Sequence, residues 1–143
     1  MKGIILAAGY GGRLVSIHEN KRNKVVLEIA GQPMIQYTLD SFNRVGIREI
    51  GIVVGYLADS VINTVGHGSS DSLQITYCFN ANFERGNATS IYAAKDFVRD
   101  EPFIVSMADH MVSPELLERI ILDQREGSLS EDEDKPDKIV IDS

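Results

Sequence analysis

Residues 3–14, Gly-Ile-Ile-Leu-Ala-Ala-Gly-Tyr-Gly-Gly-Arg-Leu, decide the fold of this 143-residue chain. The apolar run Gly3–Leu6 predicts a buried strand. The small residues and glycines after it predict a loop whose backbone N–H groups can approach phosphate oxygens closely. Two cations, Arg13 and Lys24, follow and can neutralise such a ligand. The stretch therefore predicts a strand that leads into a polyphosphate-binding loop.

Two familiar glycine-loop motifs do not fit this stretch. Residues 9–12, Gly-Tyr-Gly-Gly, lack the third glycine of the dinucleotide-binding fingerprint, and no helical pattern follows at once. The chain contains no Gly-Lys-Ser/Thr, which excludes a P-loop. Taken alone, the loop is equally consistent with a tight strand exit that binds nothing.

Composition and charge indicate one soluble globular domain, residues 1–143. The net charge of −7 argues against general nucleic-acid binding, whereas four cations and one acid between Arg13 and Lys24 suit a small polyanion. No apolar run has the length of a membrane span, and the single cysteine, Cys78, fits a reducing compartment, so a cytoplasmic location is expected. The acidic segment 127–137 predicts a solvated loop.

Strand and helix patterns alternate along the chain. Strands are predicted at 2–8, 49–54, 73–79, 102–107 and 138–141, and helices from Pro33 to Gly46, at 58–65, at 89–98 and from Ser113 onward. This order predicts a three-layer α/β/α, Rossmann-like fold with a mostly parallel sheet. Because ligands of such sheets bind beyond the carboxyl ends of the strands, 9–13 and 109–110 are expected on one rim.

Three segments together, 3–14, 24–35 and 46–56, resemble the sugar-phosphate nucleotidyltransferase superfamily. In that family a loop of Leu-Ala-Ala-Gly-x-Gly-x-Arg form holds the triphosphate, and a lysine before a Gly-x-Pro-Met-Ile segment contacts the phosphates at the reacting centre. The resemblance implies the nucleotide-diphospho-sugar transferase fold and catalytic roles for Arg13 and Lys24. It also implies nucleotide contacts from the first loop: Leu6, Ala7, Ala8, Gly9, Gly11 and Gly12.

Two later segments are similar to a narrower branch, the inositol-1-phosphate cytidylyltransferases. Residues 84–91 read Glu-Arg-Gly-Asn-Ala-Thr-Ser-Ile and residues 106–110 read Ser-Met-Ala-Asp-His. The likeness implies that Gly86, Asn87 and Ser90 face the nucleobase, and that Asp109 binds Mg²⁺ with His110 beside it. Without the likeness, Asp109 is as compatible with a helix cap as with a metal site.

The resemblance implies a Mg²⁺-dependent enzyme that transfers a nucleoside monophosphate from an NTP to a phosphorylated alcohol or sugar and releases pyrophosphate. CTP and inositol 1-phosphate, or a related polar-head phosphate such as phosphocholine, are the expected substrates. A sugar-1-phosphate nucleotidyltransferase that uses UTP, GTP or dTTP is the alternative. Small molecules, and neither nucleic acid nor a membrane, are the expected partners, while a homo-oligomer is left open.

Two departures from the family pattern yield further expectations. Asn23 stands where the family usually has proline, which predicts a less rigid loop before Lys24. The relatives continue past the fifth strand and supply a second metal-binding aspartate there. The chain is therefore expected to be an incomplete domain, and a nucleotide-binding fragment without catalytic activity is a further alternative.

Overall fold

A four-stranded parallel sheet organises the structure, a computed structural model that describes residues 1–9, 22–66 and 72–127, with side chains to residue 123. Its strands are β1 (Lys2–Ala7), β4 (Glu49–Val54), β5 (Gln74–Phe79) and β6 (Phe103–Met107), in the order β5-β4-β1-β6. A separate antiparallel hairpin consists of β2 (Glu28–Ile29) and β3 (Gln32–Pro33). Every residue of β1 is buried, as expected for a central parallel strand with both faces covered.

Helices cover both faces of the sheet. They are α1 (Met34–Arg44), α2 (Ala58–Val65), α3 (Asn87–Ala93), α4 (Lys95–Val98) and α5 (Pro114–Gly127). Apolar residues of α1, α2 and α5 pack with Ile5 and Ile52, whereas those of α3 and α4 pack with the neighbouring strand positions Ile4 and Val53. Successive strand residues thus point to opposite cores. The predicted three-layer α/β/α fold with a parallel sheet is confirmed.

Two glycines allow side chains to pack directly on the strands. A Cβ on Gly51 would lie 2.7 Å from the ring of Phe97, and a Cβ on Gly3 would lie 2.8 Å from Cδ1 of Ile50. Phe42 also contacts the position of that Gly3 Cβ. The glycines therefore let aromatic residues reach the backbone of the sheet from both layers.

The predicted elements agree closely with the observed ones. The second predicted strand is β4 and the second predicted helix is α2, and both have the predicted bounds, Glu49–Val54 and Ala58–Val65. Pro33 precedes the first residue of α1, and Ser113 accepts a hydrogen bond from the N–H of Leu116, as an N-cap does. The fifth predicted strand, 138–141, and most of the acidic segment 127–137 lie outside the described residues.

Two local features differ from the prediction. The helix predicted at 89–98 begins at Asn87 and is divided at Ala94 into α3 and α4. The β2–β3 hairpin was not predicted, and its two-residue turn places Ala30 and Gly31 at φ of 49° and 89°. Such turns favour Asn or Gly at both positions, so a turn with alanine at the first position is hard to predict from the sequence. In the described ranges, no helix is long and apolar enough to cross a membrane.

Candidate active site

A cleft lies beyond the carboxyl ends of β1 and β6. The chain runs outward from β1 to β4 and β5 and then returns to the opposite side of β1, so the strand order reverses between β1 and β6. Such reversal points are where parallel sheets bind ligands. The cleft is partly open, and the empty space within it is about 460 Å³ when the adjoining open solvent is counted. It is lined by Leu6, Ala7, Ala8, Gly9, Asn23, Lys24, Val25, Phe83, Asn87, Ser90, Met107 and Asp109.

A single 3₁₀ turn, Lys24–Val26, presents Lys24 to the cleft. Val25 and Val26 are buried and hold the turn in the core, while Lys24 stays partly exposed. Its Nζ lies 3.0 Å from Oδ2 of Asp109, and each side chain is about one quarter exposed (26% and 25%). Lys24, predicted to contact phosphate, and Asp109, predicted to bind the metal, thus form an ion pair in the cleft.

Side chains of α1 hold the loop that carries Asp109. The hydroxyl of Thr38 donates to the carbonyl oxygen of His110 at 3.2 Å, and the hydroxyl of Ser41 donates to that of Val112 at 2.7 Å. Thr38 and Ser41 are both buried. Because these bonds cross from one helix to the loop, the place of Asp109 depends on the packing of α1 against the sheet.

The carboxylate of Asp109 retains one oxygen for a further ligand. Among the described residues, its Oδ1 is buried and has no hydrogen-bond partner, and Nε2 of His110 lies 3.8 Å away, too far for a hydrogen bond. The described residues include no group of three or more His, Cys, Asp or Glu side chains arranged around a metal. Mg²⁺ needs only one or two carboxylates when substrate phosphates complete its shell, so this oxygen fits such an ion.

The opposite wall of the cleft is held by a buried asparagine that the sequence analysis missed. Asn80 directly follows β5, is 3% exposed, and donates from Nδ2 to Oγ of Ser90 at 3.0 Å and to Oγ1 of Thr89 at 3.1 Å. Its Oδ1 accepts from the N–H of Asn82 at 2.9 Å. Asn80 therefore fixes the start of α3, where Asn87 and Ser90 face the cleft. In the sequence, the position of Asn80 directly after a predicted strand was the one feature that could have pointed to a place on the rim.

The remaining predicted residues fall into two groups. Gly86 is not among the described residues that line the cleft; it adopts φ of +95° in the turn before α3, where its carbonyl accepts from Oγ1 of Thr89 at 2.8 Å. Its nucleotide contact stays a prediction. Arg13, Gly11 and Gly12 lie outside the described residues.

The expectation of a less rigid loop before Lys24 is not borne out at Asn23 itself, while residues 10–21 of that loop lie outside the described residues. The side chain is 2% exposed and hydrogen-bonded to backbone atoms of three chain segments, which a proline could not do. Asn23 also lines the cleft. Asparagine lacks the rigid ring of proline but contributes an amide group that holds the neighbouring backbone segments.

Taken together, the geometry suits a phosphorylated ligand. A strand exit of small residues, an ammonium group and a carboxylate with an unpaired oxygen border one cleft. Cations and backbone amides bind phosphate oxygens, while a carboxylate can hold a hard cation that bridges them.

Comparisons with known proteins are consistent with this geometry. The family model described as "Nucleotidyl transferase" matches residues 2–129. A bifunctional IPC transferase and DIPP synthase of Rubrobacter xylanophilus is 35% identical over 118 residues, covering 82% of this chain and 26% of that protein. A glucose-1-phosphate thymidylyltransferase of Streptomyces griseus is 33% identical over 112 residues, covering 78% of this chain and 31% of that protein.

A solved structure shows the same likeness in three dimensions. The inositol-1-phosphate CTP transferase from T. maritima superposes with a TM-score of 0.66 at 29% identity, covering 92% of this chain and 49% of that chain. The present chain thus spans about half of this solved structure and less than a third of the two curated relatives.

Proposed function

Because this chain belongs to the nucleotidyl transferase family, we propose that it transfers a nucleoside monophosphate from an NTP to a phosphorylated alcohol or sugar and releases pyrophosphate. One observation carries the proposal. Lys24 and Asp109 meet 3.0 Å apart in the cleft that is also lined by the exit of β1 and by the start of α3.

The reaction brings two polyanions together, so charge neutralisation and positioning dominate the barrier. A phosphate oxygen of the acceptor attacks the α-phosphorus of the NTP; the new P–O bond forms as the bond to the β-phosphate oxygen breaks, and pyrophosphate leaves. The ammonium of Lys24 neutralises negative charge that develops on the α-phosphate. Small residues at 7–9 let the backbone approach the phosphates, and Arg13 neutralises the leaving pyrophosphate.

Asp109 is proposed to hold Mg²⁺ through the carboxylate oxygen that has no hydrogen-bond partner among the described residues. The ion would supply positive charge shared between phosphate oxygens. When the substrate phosphates bind, Lys24 exchanges the carboxylate of Asp109 for a phosphate group as its ionic partner. The same exchange would also release Oδ2 of Asp109 from its ion pair and leave both carboxylate oxygens for the ion, so phosphate binding and ion binding favour each other.

We further propose CTP and inositol 1-phosphate as the substrates. The segments 84–91 and 106–110 support this choice, and so do the IPC transferase and the inositol-1-phosphate CTP transferase among the similar proteins. The start of α3 is proposed to contact the base through Gly86, Asn87 and Ser90. The thymidylyltransferase relative favours the second candidate, in which dTTP, UTP or GTP reacts with a sugar 1-phosphate.

Pyrophosphate release tests the proposal. The chain is incubated with Mg²⁺, each of the common NTPs in turn, and a panel of phosphomonoesters that includes inositol 1-phosphate and sugar 1-phosphates. Turnover that requires CTP supports the first choice, and turnover with another NTP moves the base assignment. Nucleotide binding without any turnover would favour the reading of a catalytically incomplete nucleotide-binding fragment. If the chain shows no nucleotide binding and no turnover, the proposed function is overturned.

A chelator and the variant Asp109→Asn test the metal. If Mg²⁺ is required, a chelator abolishes turnover and added Mg²⁺ restores it, while Asp109→Asn raises the Mg²⁺ concentration needed for half-maximal rate. Turnover that survives the chelator would rule out the role given to Asp109.

A further inference from the structure

Asn23 connects three backbone segments around the cleft. Its Nδ2 donates to the carbonyl oxygen of Tyr56 at 2.8 Å, to that of Ala7 at 3.2 Å and to that of Gly9 at 3.4 Å. Its Oδ1 accepts from the N–H of Val25 at 3.2 Å and so caps the 3₁₀ turn. One side chain therefore joins the exit of β1, the exit of β4 and the turn that carries the catalytic lysine.

The backbone of Asn23 adds a fourth connection. Its N–H donates to Oγ of Ser60 at 2.9 Å, and Oγ of Ser60 donates to the carbonyl oxygen of Leu57 at 2.7 Å. Leu57 adopts a left-handed conformation, φ 51°, at the residue before α2. The hydroxyl of Ser60 thus links the residue before Lys24 to the first turn of α2, outside the cleft lining.

We infer that Asn23 is a positioning residue for Lys24. The inference rests on the proposed function only for its effect on catalysis. Lys24 follows Asn23 directly and starts the turn that Asn23 caps, so the bonds of Asn23 fix where the ammonium enters the cleft. They also fix the distance between this ammonium and the backbone at Ala7 and Gly9, which lines the same cleft.

The chemistry of the amide explains why asparagine suits this position. Three carbonyl oxygens lie around Nδ2, and a buried carbonyl without a donor costs stability. Proline would remove both the side-chain amide and the N–H that Ser60 accepts. Aspartate would place a carboxylate against the carbonyl oxygens. Serine keeps an acceptor for the turn but does not reach all three carbonyls.

Lysine reactivity separates positioning from a merely structural role. The full chain is treated with a small amine-acetylating reagent, and the rate at each lysine is measured by mass spectrometry. Lys2 is an internal reference, since it is 7% exposed, donates to the carbonyl of Phe97 at 2.7 Å and pairs with Glu101. General loosening of the fold raises the rates of Lys2 and Lys24 together, whereas loss of positioning raises the rate of Lys24 alone.

Three variants make the comparison. Asn23→Ser removes the amide, and Ser60→Ala removes the bond to the Asn23 N–H without touching the cleft. Thr64→Ala is the matched control, because its hydroxyl also donates to a carbonyl within α2, that of Ser60 at 2.8 Å, but is not among the hydrogen-bond partners of Asn23 in the described residues. We expect Lys24 to react several-fold faster in Asn23→Ser, more modestly faster in Ser60→Ala, and unchanged in Thr64→Ala.

Nucleotide affinity gives the second readout. The dissociation constant for CTP should rise about tenfold in Asn23→Ser, a change of about 1.4 kcal/mol, and stay at the parental value in Thr64→Ala. The inference is wrong if Lys24 of Asn23→Ser is acetylated at the parental rate, or if the acetylation rate of Lys2 rises by the same factor as that of Lys24. A parent that binds no nucleotide would count against the proposed function, while the lysine rates would still decide the inference.

Discussion

Replacing Lys24 with alanine should remove most of the transfer activity while leaving the fold nearly intact. The ammonium lies in the cleft and is paired with Asp109 at 3.0 Å. In the proposed reaction it instead contacts phosphate oxygens as charge develops on them. Removing one such preorganised contact typically costs about 100- to 1,000-fold in kcat, about 2.7–4 kcal/mol.

The expected loss of stability is much smaller. The pair is about one quarter exposed on each side, which places its contribution near the upper end of the range for exposed pairs, about 1 kcal/mol. A domain of ordinary stability, about 5–15 kcal/mol, remains folded after such a loss. Unfolding therefore cannot account for a 100-fold fall in rate.

The assay is initial-rate pyrophosphate release with saturating substrates, accompanied by urea denaturation of each variant. Lys95→Ala is the matched control, because it also removes one positive charge, but from an exposed ammonium on α4 that donates to the hydroxyl of Tyr92 at 2.9 Å. If Lys24→Ala retains most of the parental rate, or if Lys95→Ala loses as much, the role given to Lys24 is refuted.

Three further predictions concern the scaffold. Gly51→Ala places a Cβ 2.7 Å from the ring of Phe97, so urea denaturation should show a loss of about 1–3 kcal/mol in the free energy of unfolding; an unchanged midpoint would contradict this packing. Burial raises the pKa of the Cys78 thiol, so iodoacetamide should label the folded protein far more slowly than the urea-unfolded chain, and equal rates would count against it. A hydrogen bond from Lys2 lowers the pKa of the Glu101 carboxyl. The ionised carboxylate therefore stabilises the folded protein above the ordinary pKa of a glutamate, and this stabilisation is lost as the pH falls through the lowered pKa. Glu101→Gln should thus be less stable than the parent at neutral pH and equal to it in strong acid, and parental stability at neutral pH would rule out this contribution.

The sequence predicted the layers of the fold well because the signals are local and repeated. Long apolar runs indicated strands that are buried on both faces, as β1 is. Proline and serine at helix starts indicated where α1 and α5 begin. The rim of the sheet followed from topology alone, since residues after parallel strands meet at one edge. Topology predicted that 9–13 and 109–110 share this rim, and the family resemblance implied that Lys24 contacts the phosphates there; in the structure Lys24 and Asp109 are in contact.

The features that were missed depend on partners far away in the sequence. Asn80 was not singled out, and Asn23 was noted only for the proline that it replaces, because nothing local shows that their amides will be buried against carbonyls and hydroxyls of other segments. The turn at Ala30 and Gly31 was missed since alanine rarely adopts positive φ. The division of the predicted helix at Ala94 left no sequence signal, because its apolar face continues across the break into α4.

The central place of β1 has a consequence for how the chain folds. Its first residues pair with Ile50 and its neighbours on one side, but with Phe103 and its neighbours, about a hundred positions later, on the other. Pairings of such long sequence separation are slow to form because the intervening chain must be ordered first. During synthesis, the emerging chain can join β1 to β4 early, whereas β6 must leave the ribosome before the far edge of β1 is covered. Within the described residues, the cleft between β1 and β6 is therefore completed only after β6 has paired, and its completion reports that the four described strands are in place.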